Sequence, residues 1–88
     1  MGALSASVGE NGTNLKQDVM RVQRLLKTAG LDPGPDNGVC NEETISAIKQ
    51  FQSQFMDEPD GIIPTEGVTW RKLAEAQLRA IEGEEEEE

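Results

Sequence analysis

The sequence contains no histidine, no tyrosine and a single cysteine, Cys40. Without histidine and with only one thiol, the chain cannot build a His/Cys zinc site, a Ser-His-Asp triad or an internal disulfide. It also lacks any apolar run as long as a secretory signal or a membrane span requires. These absences predict a binding module that is not an enzyme, with no cofactor, no metal and no membrane partner.

Basic residues are scarce as well. The chain has 8 Lys and Arg against 17 Asp and Glu, for a net charge of -9. Glu82 and the run 84–88 hold 6 of the acidic residues, which leaves a mildly acidic body. A terminal block of like charge repels itself and stays solvated, so we predict a disordered acidic tail over 82–88. Nucleic acid is excluded as a partner because no basic surface is available to neutralise phosphates.

The absence of a targeting segment leaves three alternatives open. The chain stays in the cytoplasm, it is a piece of a longer protein, or it is exported by a route that reads no N-terminal signal. At 88 residues it has room for one small domain, which we expect to be a monomer. We assign this domain to residues 14–81, after a partly ordered segment over 1–13.

Three stretches have the apolar spacing of amphipathic helices. The first contains Leu15, Val19, Val22, Leu26 and Ala29, the second Ile45, Ile48, Phe51 and Phe55, and the third Trp70, Leu73, Ala74, Gln77 and Ile81. We therefore predict an all-α three-helix bundle.

The helix ends carry their own signals. Asn14, with Gln17 three residues on, is a candidate N-cap for helix 1, and Gly30 followed by Leu31 predicts a left-handed C-cap. Asn41 is placed to cap helix 2, which we expect to run to about Phe55.

Two loops rich in Gly, Pro, Asp and Asn separate the helices. Ile62 and Ile63 lie between turn signals in the second loop, and we expect them to pair as a short strand with residues 38–40.

The two halves of the chain repeat one pattern. A helix with an apolar-Gln pair is followed by an Asx-Gly turn, a β-branched residue and a Thr in the next helix. The first copy comprises Gln23, Asn37, Gly38, Val39 and Thr44, and the second comprises Gln52, Asp60, Gly61, Ile62 and Thr69. Because both glutamines occupy the same position in the repeat, we expect them to hold the turns by hydrogen bonds to loop backbone.

This arrangement resembles the peptidoglycan-binding domain-like family of cell-wall enzymes. The match extends from Gly9 to Leu73 and contains the following residues in order: Val19, Val22, Gln23, Leu26, Asn37, Gly38, Cys40, Asn41, Thr44, Ala47, Ile48, Phe51, Gln52, Asp60, Gly61, Thr69, Trp70 and Leu73. The departures are Asn37 for the usual Asp, Cys40 for an aromatic residue, Asn41 for Gly, and the insert PTEG in the second loop. The segments SASVGENGTN and QFMDEPDG are similar to a branch of the family found with type VI secretion effectors.

The resemblance implies a non-catalytic module that binds the glycan or the stem peptide of peptidoglycan and holds a lytic or effector protein at the wall. Its site of action would be the periplasm or the cell wall, and a catalytic domain or secretion component would be its protein partner. The alternative is a protein-interaction adaptor on the same scaffold that docks to such a partner. A third hypothesis, a small hydrolase, would need Asp36 and Asp60 to face each other across a cleft.

The candidate ligand-binding residues lie in the two loops and at the start of helix 3. Asn37, Gly38, Asp60 and Gly61 can offer polar tips and backbone amides, since loops on a rigid scaffold commonly carry recognition. Trp70 can stack on a sugar, although its position favours the core. Arg71, followed by Lys72, can meet stem-peptide carboxylates.

Cys40 has a structural interpretation. We expect it to pack as a small apolar residue between helices 2 and 3.

Overall fold

The structure is a computed structural model that describes residues 4–86, with side chains described over 4–80. Over these residues the chain forms helices α1 (Lys16–Thr28), α2 (Glu42–Gln52) and α3 (Val68–Glu86). Two short strands, β1 (Val8–Gly9) and β2 (Ile62–Ile63), form a small sheet. The predicted three-helix fold is confirmed, and the sheet is an addition to it.

Helix α1 buries the face that its spacing predicts, with Val19, Val22 and Leu26 all at 0% exposure. Its C-terminal cap is also confirmed. Gly30 has a φ of 92°, and the N–H of Leu31 donates to the carbonyl of Leu26 at 3.0 Å. This bond satisfies a carbonyl that the end of a helix would otherwise leave unpaired.

The predicted N-cap of α1 is wrong. The capping position belongs to Leu15, which makes no side-chain cap, while Asn14 has a φ of 58°. Asn14 uses its side chain elsewhere: Oδ1 accepts from the N–H of Gly9 at 2.7 Å and Nδ2 donates to the Gly9 carbonyl at 3.1 Å. Its amide group is thus committed to the preceding loop and is not available to the helix.

Helix α2 begins as predicted, because Oδ1 of Asn41 accepts from the N–H of Thr44 at 2.9 Å. It ends at Gln52, earlier than the expected Phe55. There the N–H groups of Phe55 and Met56 both donate to the Gln52 carbonyl, at 3.0 and 2.8 Å. The bond from Phe55 spans three residues in place of the four of an α-helix, so the chain tightens into a turn and the helix ends.

Helix α3 buries Trp70 and Leu73 as its spacing predicts. Its backbone stays helical to Glu86, whereas we expected a disordered tail from Glu82. Adding residues to an existing helix needs no new nucleus, and Glu has a high helix propensity, so the charge run can extend α3. Residues 87 and 88 of the predicted tail, and the side chain of Ile81, lie outside the described residues. None of the described helices is long and apolar enough to cross a membrane.

The predicted pairing of β2 with residues 38–40 is wrong. The partner of β2 is β1, in antiparallel register with Val8 opposite Ile63 and Gly9 opposite Ile62. A Cβ on Gly9 would come within 2.1 Å of the Gly61 carbonyl oxygen, so the close approach of the two strands requires glycine here.

The N-terminal segment differs from the partly ordered leader that we expected over 1–13. Leu4 and Val8, at 4% and 0% exposure, are part of the core. Asp18, itself 1% exposed, anchors the segment, since its carboxylate accepts from the N–H groups of Ser5 and Ala6 at 3.2 and 3.0 Å. The core is thus built from α1, α2, α3 and both strands, and it contains Leu4, Val8, Val19, Val22, Leu25, Leu26, Ala47, Ile48, Phe51, Ile63, Trp70 and Leu73.

Candidate functional site

The first corner is the turn Asn37–Gly38–Val39 together with Gln23 of α1 and Thr44 of α2. Oε1 of Gln23 accepts from the Gly38 N–H at 3.1 Å, and its Nε2 donates to the Val39 carbonyl and the Thr44 hydroxyl, both at 3.0 Å. Oδ1 of Asn37 accepts from the Val39 N–H at 3.0 Å. Gln23 and Thr44 are both at 0% exposure, so one buried amide joins two helices to the loop.

The second corner is the turn Asp60–Gly61–Ile62 together with Gln52 of α2 and Thr69 of α3. Oε1 of Gln52 accepts from the Gly61 N–H at 2.9 Å. Its Nε2 donates to the Ile62 carbonyl at 3.0 Å and to the Thr69 hydroxyl at 3.2 Å. Oδ1 of Asp60 accepts from the Ile62 N–H at 3.2 Å and from the Gln52 side chain at 2.9 Å.

The two corners share the same core of hydrogen bonds, to which the second adds the bond from Gln52 to Asp60. In each, a glutamine bonds the N–H of the glycine, the carbonyl of the residue after it and a threonine hydroxyl. This confirms that Gln23 and Gln52 hold the turns, as their repeated position predicts. Buried and satisfied networks of this kind fix one loop conformation, because breaking them leaves polar groups unpaired.

Strand β1 lies beside both corners. Gly9 pairs with Ile62 of the second corner, and the N–H of Glu10 donates to the Gly61 carbonyl at 2.8 Å. The thiol of Cys40, which follows the first corner, interacts with the backbone of Gly9. Gly9 and Glu10 are therefore bonded to the second corner, and Gly9 also lies near Cys40, which follows the first corner.

Four of the six predicted site residues lie in these turns, with different access to solvent. Asn37 and Asp60 are exposed, whereas Gly38 and Gly61 are buried. The N–H groups of both glycines are already bonded to glutamine side chains. The corners therefore offer the polar side chains of Asn37 and Asp60 to a ligand, and the two glycine amides serve the fold.

The other two predicted site residues, Trp70 and Arg71, have opposite surroundings. Trp70 is 7% exposed, and the guanidinium of Arg21 lies over its ring at 5.0 Å from the centroid. A ring covered in this way contributes packing and a cation–π contact, and it has no open face for a sugar. Arg71, the next residue, is exposed.

Asp36 is bound to cations of α1. Its carboxylate lies 3.3 Å from Nε of Arg24 and 3.9 Å from Nζ of Lys27. The hydrogen bond from Arg24, followed by the charge of Lys27, lowers the pKa of Asp36. A hydrolase pair needs one carboxyl group that stays protonated and acts as the acid. The lowered pKa of Asp36 favours its ionised form instead. The carboxylate of Asp60 accepts a hydrogen bond within its own turn.

Cys40 packs against the core as predicted, although the neighbour that its thiol meets is the backbone of Gly9. Burial raises the pKa of the Cys40 thiol, and the interaction with Gly9 only partly opposes that shift. A thiol with a raised pKa is a poor nucleophile at neutral pH, since the thiolate is the reactive form.

Asp18, which anchors the N-terminal segment, was not among the predicted residues. Its signal was present: Asp18 precedes Val22 and Leu25 by four and seven residues, so it lies on the apolar face of α1. A charged residue at such a position is rarely buried without a partner, and here the partners are backbone amides of residues 5 and 6.

Together these features define a small helical domain in which two equivalent Gln–Gly–Thr corners fix two polar loops. A family model described as "Putative peptidoglycan binding domain" matches residues 16–73, about two thirds of the chain. The chain belongs to this family of peptidoglycan-binding domains, as the resemblance in the sequence indicated. Both corners lie within the matched residues. No curated protein and no solved structure matches the chain significantly.

Proposed function

We propose that this chain is a non-catalytic module that binds peptidoglycan and holds a lytic or effector protein at the bacterial wall. The observation that carries the proposal is the family match over residues 16–73, which spans both corners. The place of action we propose is the periplasm or the cell wall. The similarity of two segments to type VI effectors makes an effector of that apparatus the carrier we favour.

The proposed contacts are the exposed polar groups near the two corners. Asn37 and Asp60 project from turns whose backbones are fixed by buried glutamines, and Arg71 supplies a positive charge at the start of α3. Side chains on rigid turns lose little conformational freedom when a ligand binds. In this proposal the buried residues Gly38, Gly61 and Trp70 do not contact the ligand and have a structural role next to the site.

A weak module of this kind is sufficient for targeting. The wall is a polymer with many equivalent sites, and a module tethered to a catalyst raises the local concentration of that catalyst at its substrate. The catalytic step then belongs to another domain, in keeping with a family of binding domains.

The test is co-sedimentation of the purified chain with insoluble sacculi. We expect the wild-type chain to appear in the pellet, and the triple variant Asn37→Ala/Asp60→Ala/Arg71→Gln to shift towards the supernatant. Gln17→Ala/Ser46→Ala/Gln50→Ala, three exposed changes that likewise leave the net charge unaltered, is the matched control and should pellet like the wild type. A wild-type chain that stays in the supernatant would favour the adaptor hypothesis, which a search for a protein partner would then address.

A further inference from the structure

A groove of about 480 Å³ opens between the C-terminal ends of α1 and α2 and residues 72–80 of α3. Its volume is in the range of small-ligand sites. None of the six residues proposed above lines it. The lining comprises Thr28, Ala29, Phe51, Gln54, Phe55, Lys72, Glu75, Ala76, Arg79 and Ala80.

The floor of the groove is apolar. Phe51 is 4% exposed, and Phe55 is half-buried with its ring edge-on to Phe51 at 5.5 Å between centroids. Ala29, Ala76 and Ala80 carry only short methyl side chains, which leave the space between the helices unfilled. Such a surface suits a ligand with small apolar side chains.

The rim of the groove carries charge of both signs. Lys72 and Arg79 are exposed and lie seven residues apart on α3, hence on one face. Nζ of Lys72 lies 5.9 Å from the centroid of the Phe55 ring. Among the residues whose side chains are described, neither cation takes part in an ion pair. Glu75, which is half-buried, lies between them and adds one negative charge.

We propose that this groove binds the stem peptide of peptidoglycan. The peptide carboxylates would pair with Lys72 and Arg79, a free amino group would pair with Glu75, and alanine methyls would pack on Phe55 and Ala76. The chain as a whole has a net charge of -9, whereas the rim of the groove carries two exposed cations. These cations complement an anionic ligand. The glycan is a poorer fit, since a neutral sugar needs hydroxyl partners and an open aromatic face. This proposal rests on the proposed function and adds a peptide subsite to it.

The experiment is a titration of the full chain with a free stem tetrapeptide released from sacculi by amidase, followed by NMR chemical shifts. We expect shifts at the groove residues, and a Kd that rises roughly threefold to thirtyfold in Lys72→Gln/Arg79→Gln, as expected for two partly exposed ion pairs. Arg24→Gln/Lys49→Gln removes the same charge at exposed positions away from the groove and should bind the peptide like the wild type. Ala76→Trp fills the groove without a change of charge and should abolish the shifts, and thermal melts confirm that each variant folds.

Three outcomes would overturn the proposal. The first is equal affinity of the peptide for Lys72→Gln/Arg79→Gln and the wild type. The second is that peptide-free glycan strands, and not the tetrapeptide, shift the groove residues. The third is a dimer in solution that Ala76→Trp dissociates, because the groove would then be an interface between two copies. If the chain pellets with sacculi but does not bind the tetrapeptide, only the groove proposal is refuted. If the chain does not pellet, the proposed function is refuted as well.

Discussion

At the scale of single residues, two buried glutamines connect the helices to the loops. Gln23 and Gln52 each satisfy one backbone N–H, one backbone carbonyl and one hydroxyl. Glutamine is suited to this role because one side chain carries both an acceptor oxygen and two donor hydrogens. The repeated pattern in the sequence identified both residues, since their partners lie at matching distances along the chain.

We expect Gln23→Ala and Gln52→Ala each to lower the free energy of unfolding by about 2–4 kcal/mol. Each change leaves a buried glycine N–H without an acceptor and opens a small cavity. Gln50→Ala, at an exposed position of α2, is the control and should cost less than about 0.5 kcal/mol. Urea unfolding followed by circular dichroism measures all three. A loss at Gln52 no larger than at Gln50 would contradict the role of the corners.

Cys40 provides a prediction on pH dependence. Because burial raises the pKa of the Cys40 thiol, alkylation by iodoacetamide at pH 8 should be slower in the folded chain than in urea, and its midpoint in pH should be higher in the folded chain. The folded state favours the protonated thiol, so this contribution to stability is fully present below the pKa of the unfolded chain and is lost as pH rises from there through the higher pKa of the folded chain. Mass spectrometry of timed samples gives the rates. Equal rates in the folded and unfolded chains would show that the thiol is not buried.

At the scale of elements, the features that depend on neighbouring residues were predictable. The caps at Gly30 and Asn41 are set by contacts within three to five residues and are confirmed. The predictions that Asn14 caps α1 and that α2 runs to Phe55 were wrong, because the groups concerned form other hydrogen bonds than the ones expected. The side chain of Asn14 bonds Gly9, and after Gln52 the N–H groups of Gln54 and Phe55 donate to carbonyls three residues back in place of four.

A substitution of Phe51 tests which face of α2 is buried. We expect Phe51→Ala to cost about 3–5 kcal/mol, a large share of the stability of a domain of this size, because the side chain is 4% exposed within the core. Phe55→Ala, the matched change at a half-buried ring, should cost clearly less. Thermal and urea unfolding compare the two variants, and an unchanged melting temperature for Phe51→Ala would refute the predicted facing.

At the scale of the whole molecule, the N-terminal segment completes the core. Val8 pairs with Ile63 across more than half the length of the chain, and Leu4 is buried beside it. The segment also bonds the second corner through Gly9 and Glu10, so it supports that turn as well as the core.

This predicts a loss of stability from changes before residue 10. Leu4→Ala/Val8→Ala should lower the free energy of unfolding by about 3–6 kcal/mol, because two buried apolar side chains are truncated. Ser5→Ala, at an exposed position between them, should change it by less than about 0.5 kcal/mol. Urea unfolding of the full chain is the measurement. If the double variant were as stable as the wild type, the segment would not belong to the core.

The existence and order of the helices, the two turns and the glutamine–glycine–threonine pattern could be predicted from the amino-acid sequence, because apolar spacing and short-range hydrogen bonds act between residues close in the chain. Tertiary structure alone decided that β2 pairs with β1, that Arg21 covers Trp70, and that a groove opens beside Lys72 and Arg79. The reason is physical: these features depend on how separate elements approach one another, and that approach is fixed by the burial of one shared core.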